Sequence, residues 1–204
     1  MDREAIQRRV FDLFGEMLEY PGPGLASAVR ECQELVTPFS PEAGALLGDF
    51  RDFVESTPAV RIEEVFSGAF DLDAACYPYV GYHLFGESYK RSVLMLGLKE
   101  RYRAFSFEIP GNELPDHLAV ILRFLAVCRD DTESQEIMVE ALVPTLGKMV
   151  GGEDEPSKPE DGPTLKAAGR RIIYHKVIQA LHQVLLSPAV YGRLVTEQVE
   201  IAAG

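Results

Sequence analysis

Two carboxylates and an imidazole crowd into one short stretch, Glu113-Leu114-Pro115-Asp116-His117-Leu118. Proline fixes its own φ and suits the first turn of a helix, so the pattern predicts a helix beginning at Pro115. Asp116 would then sit where the positive end of the helix dipole favours an acid, with His117 on the same turn. Three kinds of chemistry fit such a cluster. It could cap the helix and face water. It could accept hydrogen bonds from an arginine or lysine of a partner. It could also be a general acid/base pair. The residues alone leave all three open.

A second candidate lies upstream. Residues 77–89 (YPYVGYHLFGESY) hold Tyr77, Tyr79, Tyr82, Phe85 and Tyr89 together with His83. Tyrosine joins an apolar body to a polar tip, which suits a protein-binding groove as well as a core. His175 and His182 share a helical face without a carboxylate or cysteine at ligand spacing, so they do not read as a metal site. Arg170 and Arg171 read as a solvated pair. No G-x-G-x-x-G, phosphate loop, G-x-S-x-G or H-E-x-x-H is present. Cys32, Cys76 and Cys128 are far apart and odd in number, which predicts buried, reduced thiols.

The elements that must position these residues read as helices. Apolar side chains recur at helical spacing over 3–19, 25–36, 41–56 and 61–70. Tyr20-Pro21-Gly22-Pro23-Gly24 breaks the first, and Ser40-Pro41 opens the third as N-cap and first residue. Residues 71–86 read as a loop or broken helix. Further helices are expected over 87–105, with Val93, Leu94, Leu96, Leu98, Tyr102 and Phe105 as the apolar side, and over 115–127. Another spans 132–150, kinked at Pro144, and a last one 164–186. Residues 151–163 (GGEDEPSKPEDGP) predict a mobile acidic loop. No stretch alternates as a strand would. The expected fold is all-α, one helical bundle-like domain over 1–204.

Composition bounds the function. The chain has 204 residues and a net charge of -12. That balance argues against nucleic acid, whose phosphates demand clustered lysine and arginine. Residues 1–76 alone carry a net -9, which favours a basic partner or simple solubility. No apolar run is long enough for a transmembrane helix, and the charged N-terminus does not resemble a signal peptide, so a soluble, cytoplasmic protein is expected.

The 113–118 segment resembles the E-x-P-D-H signature of the TorD/DmsD/NarJ-like redox-enzyme maturation chaperones. His83-Leu84-Phe85-Gly86-Glu87-Ser88 followed by Arg91 resembles the H-x-x-G-E-S segment of the branch dedicated to respiratory nitrate reductase, as does Leu18-Glu19-Tyr20-Pro21. The resemblance spans about residues 10–128. It implies an all-α cytoplasmic protein that is not an enzyme. Such proteins bind the N-terminal segment of a molybdoenzyme catalytic subunit and assist insertion of molybdenum cofactor before membrane docking or export. They hold no cofactor stably themselves, and molybdenum cofactor biosynthesis proteins are possible further partners. The client implied here is the nitrate reductase alpha subunit. Another enzyme of the dimethyl sulfoxide reductase family, or a general helical adaptor role, are the alternatives. On this reading Tyr79, Tyr82 and Phe85 line a groove for the peptide. Glu113, Asp116 and His117 hold its charged end, Glu87 adds an acceptor, and His83 and Pro115 complete the two motifs. A monomer is expected, with element exchange between protomers through 151–163 as the alternative.

Overall fold

The computed structural model describes residues 2–70, 76–151 and 165–191, the side chains of 165–172, 189 and 191 excepted. The loop expected over 151–163 therefore lies outside the described residues except for Gly151, which ends a helix, and so do the side chains of Arg170 and Arg171 and residues 71–75.

Asp2 accepts the Ala5 amide at 2.7 Å and starts helix α1 (Arg3–Met17), which buries Val10, Phe11, Leu13, Phe14 and Met17. The helix stops two residues earlier than its apolar pattern, because Pro21 disfavours helical geometry in the residue before it. Helix α2 (Leu25–Val36) follows, then α3 (Pro41–Ser56) with proline at its first turn. The Ser40 hydroxyl makes no capping bond there, contrary to expectation. Helix α4 (Ala59–Phe70) starts two residues before its expected beginning. The aromatic stretch contains one short helix, α5 (Val80–Phe85), and Gly86, at φ 64°, turns the chain into α6 (Tyr89–Ala104).

Helix α7 (Leu118–Val127) begins three residues later than Pro115. Its sequence, LAVILRFLAV, is apolar apart from Arg123. Leu118, Ile121, Leu122, Phe124 and Leu125 are all buried, each contributing about 1.5–3 kcal/mol. Asp130 caps α8 (Asp131–Ile137). A π-helical turn (Met138–Leu142) then leads into α9 (Val143–Gly151). Pro144 has no N–H for the carbonyl four residues back, and the widened turn directly before it is where the helix absorbs that loss. Helix α10 (Leu165–Leu186) and the short α11 (Pro188–Tyr191) end the described chain.

α7 packs on α1, α1 on α2, and α2 on α3; α10 closes the other side against α3, α4 and α9. Phe50, Phe66 and Phe70 surround Tyr174 with ring centroids 5.0–5.4 Å away, which ties α3 and α4 to α10. Among the described residues there is no strand, only one antiparallel bridge between Tyr79 and His117. The three cysteines are buried and outside any disulfide.

At Gly44, α3 comes close to the end of α2. A Cβ there would lie 3.1 Å from the Thr37 backbone and would drive into the Thr37 side chain. Gly44→Ala is expected to lower stability by about 1–3 kcal/mol, read as a lower urea midpoint with an unchanged denaturant slope. An unchanged midpoint would show that α2 and α3 separate freely.

Candidate functional site

Residues 76–79 run antiparallel to 115–118. The Leu118 amide donates to the Pro78 carbonyl at 2.7 Å, and the Val80 amide to the Asp116 carbonyl at 2.8 Å. These two bonds set Tyr79 beside His117, edge to face at 5.4 Å. Under them lies an ion pair. Asp116 is 0% exposed and accepts from Arg91 Nε at 2.8 Å; the Arg91 side chain, from α6, is only 16% exposed. The Arg91 guanidinium also stands 5.3 Å from the Tyr79 ring centroid, within cation–π range. Gly81 makes room for this pair, since a Cβ there would fall 2.8 Å from Asp116 Oδ2 and 2.9 Å from Arg91 Cγ. The Tyr102 hydroxyl donates to the Pro115 carbonyl at 2.8 Å and fixes the other end of the turn.

His117 is the N-cap of α7, its Nδ1 accepting the Ala119 amide at 3.2 Å. Burial lowers its pKa below the ordinary histidine value, outweighing the opposing pull of Glu113, Glu19 and Asp116. The ring is therefore neutral at pH 7, as an accepting Nδ1 requires. The Tyr79 hydroxyl donates to Glu113 Oε1 at 3.3 Å, and that oxygen also accepts the Leu114 amide at 2.9 Å. Burial and this carboxylate raise the Tyr79 pKa, keeping the phenol protonated.

A cavity of about 530 Å³ opens in front of this assembly. Phe66, Phe70 and Val120 supply apolar lining, Tyr20, Tyr77 and Tyr79 aromatic lining, and Glu19 and Glu113 the charges; no lysine or arginine lines it among the described residues. Tyr20 rests edge-on against Phe66 at 5.8 Å while its hydroxyl donates to Glu63 at 3.0 Å. Glu19 accepts from Arg123 Nε and Nη2 at 3.0 and 2.8 Å, and Arg123 is shared with Asp12.

The structure brings together Tyr79, Glu113 and His117 of the residues expected at the site. It moves the others. Asp116 and Pro115 are buried beneath the cavity, Asp116 already neutralised by Arg91, so neither can hold a peptide's charged end. Tyr82 stands one ring behind, edge-on to Tyr77 at 5.3 Å. His83 is tied to the Tyr77 carbonyl at 2.7 Å. Phe85 and Glu87 are exposed and away from the cavity. The reason is α5, which packs on α6 and α9 and carries 82–87 off in that direction. Helical spacing assigns Phe66 and Phe70 to the core alone; Glu19 and Tyr20 enter the sequence reading only within the Leu18–Pro21 motif, and Tyr77 only among the aromatic residues of 77–89. A tyrosine set in a Pro/Gly turn, with no apolar stripe to join, was the available signal for Tyr20.

Comparison with known proteins places the chain. The model of the family described as nitrate reductase delta subunit matches residues 37–149, more than half of the chain. The chain belongs to this family. Both sequence signatures, at 83–88 and 113–118, fall inside the matched range. NarW of Escherichia coli strain K12, described as a “probable nitrate reductase molybdenum cofactor assembly chaperone”, is 24% identical over 140 residues, covering 68% of this chain and 59% of NarW. NarJ of the same strain, described as a nitrate reductase molybdenum cofactor assembly chaperone, is 30% identical over 118 residues, 56% of this chain and 50% of NarJ. The chain thus spans only about half the length of the curated relatives it matches. A crystal structure of an Archaeoglobus fulgidus protein assigned to redox enzyme maturation superposes with a TM-score of 0.55 at 17% identity, covering 87% of this chain and 93% of that one. It shares the family's all-α fold.

Two outcomes follow from the site's construction. Asp116→Ala should cost about 3–5 kcal/mol in urea unfolding, because it strands a largely buried guanidinium, whereas Glu113→Gln on the exposed rim should cost under about 1 kcal/mol. Equal effects would place Asp116 at the surface. The histidines give a pH dependence. Burial lowers the folded-state pKa of His117, His83 and His182. The unfolded chain therefore binds more protons, and the contribution is present above about pH 6.5 and lost as pH falls below it. His117→Asn keeps a capping oxygen without a titrating ring, and should flatten part of the fall in urea midpoint between pH 6.5 and 5. An unchanged slope would remove His117 from that fall.

Proposed function

We propose that the chain is a system-specific chaperone for a molybdoenzyme, with the respiratory nitrate reductase alpha subunit as the client, and that it acts in the cytoplasm. The cavity between Tyr20, Tyr79 and Phe66 receives the N-terminal segment of the catalytic subunit. The apoenzyme is held there while molybdenum cofactor is inserted, before membrane docking or export; the chaperone keeps no cofactor of its own. The observation that carries this reading is an aromatic cavity with acidic rims, Glu19 and Glu113, and no cation in its lining among the described residues. Such a surface suits a basic, partly apolar segment, whose apolar side chains supply most of the affinity while its charges set register and on-rate. The descriptions of NarJ and NarW support the same role and the same client class.

Catalysis by the 113–117 cluster is disfavoured by what its members already do. Asp116 is consumed by Arg91, and His117 spends Nδ1 on the α7 cap. A general acid/base pair would need both within reach of a substrate.

Calorimetric titration tests the proposal. The probe is the N-terminal peptide of the molybdoenzyme catalytic subunit encoded beside this chain, with a scrambled peptide as control. Micromolar or tighter binding is expected, about tenfold weaker in Tyr79→Ala and about threefold to tenfold weaker in Glu113→Gln. Equal binding of the scrambled peptide, or full affinity in both variants, would overturn it.

A further inference from the structure

Helix α6 has a side that the fold leaves uncovered. Leu98 and Tyr102 face the core, but Tyr89, Val93 and Leu96 are 82%, 52% and 57% exposed. Their spacing of four and three residues puts them in one line along the helix, the spacing of a seam that packs against another helix. Glu100 and Arg103 continue the same line. Lys90 flanks it on one side and Lys99 on the other.

The charges around this line are unusual for the molecule. Arg91 is held by Asp116, and Arg101 by Glu133 and Glu136. Lys90, Lys99 and Arg103 make no ion pair among the described residues, and Glu100 is the one acid on the exposed line. A chain of net -12 thus carries a local cationic, apolar stripe. The peptide cavity is separate, since no residue of α6 lines it.

We propose that this face of α6 docks an acidic amphipathic helix of another protein, its apolar seam on Tyr89, Val93 and Leu96 and its carboxylates on Lys90, Lys99 and Arg103. Two other occupants fit less well. A second copy of the chain would bring three cations against three, with a single glutamate on each side to offset them. An anionic membrane or nucleic acid would meet the repulsion of a strongly acidic protein and only a short basic stripe.

The test uses the full chain and two labelled helical peptides of about three heptads. Both carry leucine on the seam; one has glutamate on the flanks and the other lysine. In fluorescence anisotropy the acidic peptide should bind at least about tenfold tighter than the basic one and weaken as salt rises. Val93→Glu/Leu96→Glu should abolish binding, and Lys90→Glu/Lys99→Glu should reverse the preference, while Glu113→Gln leaves it unchanged. Circular dichroism checks folding, and the lysine reversals carry the test if the seam variant does not fold. Equal binding of the two peptides, or none, would overturn the proposal. So would recruitment to phosphatidylserine vesicles in place of the peptide, or a sedimenting dimer lost in the seam variant.

Discussion

A carboxylate with no access to water must find a cation, and in this fold the demand falls on Asp116. It sits on the turn before α7, the most apolar of the described helices, where hydration is out of reach. Arg91 meets the need from α6, 25 positions earlier in the chain. Almost every feature of the cavity wall follows. The pair fixes the turn that presents His117, the same guanidinium stands against Tyr79, and residue 81 has to be glycine for the atoms to fit. Such a pair contributes little net energy compared with an apolar substitute of equal shape. What it contributes is placement, since two long side chains and one short one can satisfy each other in few arrangements.

Arg123 plays a related part for Glu19, the other acid of the cavity lining. As the single polar residue of α7 it cannot remain unpartnered, and it takes Asp12 and Glu19. Asp12 in turn meets Arg9, which meets Glu31 on α2. Gly15 lets the Arg123 stem cross α1, passing about 3.1 Å from where a Cβ would stand. Glu19 is thus held in place by a chain of charges that reaches across three helices. On the proposed role, a positively charged guest would compete with Arg123 for that carboxylate, and guest binding would then be coupled to the α1–α7 contact.

Much of the fold was legible in the sequence, because apolar side chains at helical spacing must share a covered face. Val10, Leu13, Phe14, Met17, Leu47, Phe50 and Ile62 all occupy the core their spacing assigns. Helix starts were less legible. Pro115 can begin a helix, yet here Asp116 is drawn down to Arg91 and His117 takes the cap, a choice made by a residue distant in sequence. The same distance hides which acid is free. Glu113 and Asp116 look alike in the motif, and only the position of α6 makes one a rim charge and the other a buried ion. Val93 and Leu96 share the apolar spacing of α6, and no local mark in the sequence shows that they face the solvent. Periodicity reports that a face is apolar but not what lies opposite.

The Tyr79–His117 bridge has a consequence for how a guest can be read. It is the only pairing of extended segments among the described residues, and three of its four outward groups are already occupied, the Tyr79 amide being the fourth. The His117 amide donates to the Leu114 carbonyl, the His117 carbonyl receives Ile121, and the Tyr79 carbonyl receives Tyr82. Pro78 and Pro115 have no amide hydrogen to offer. An incoming chain would find only the Tyr79 amide hydrogen, too little for a ladder. Main-chain pairing, which accepts nearly any sequence, is thus reduced to one group at this wall, and on the proposed role side chains meeting rings and carboxylates would carry the discrimination. Selectivity would then come by subtraction, with the generic contact scarce and the specific one left.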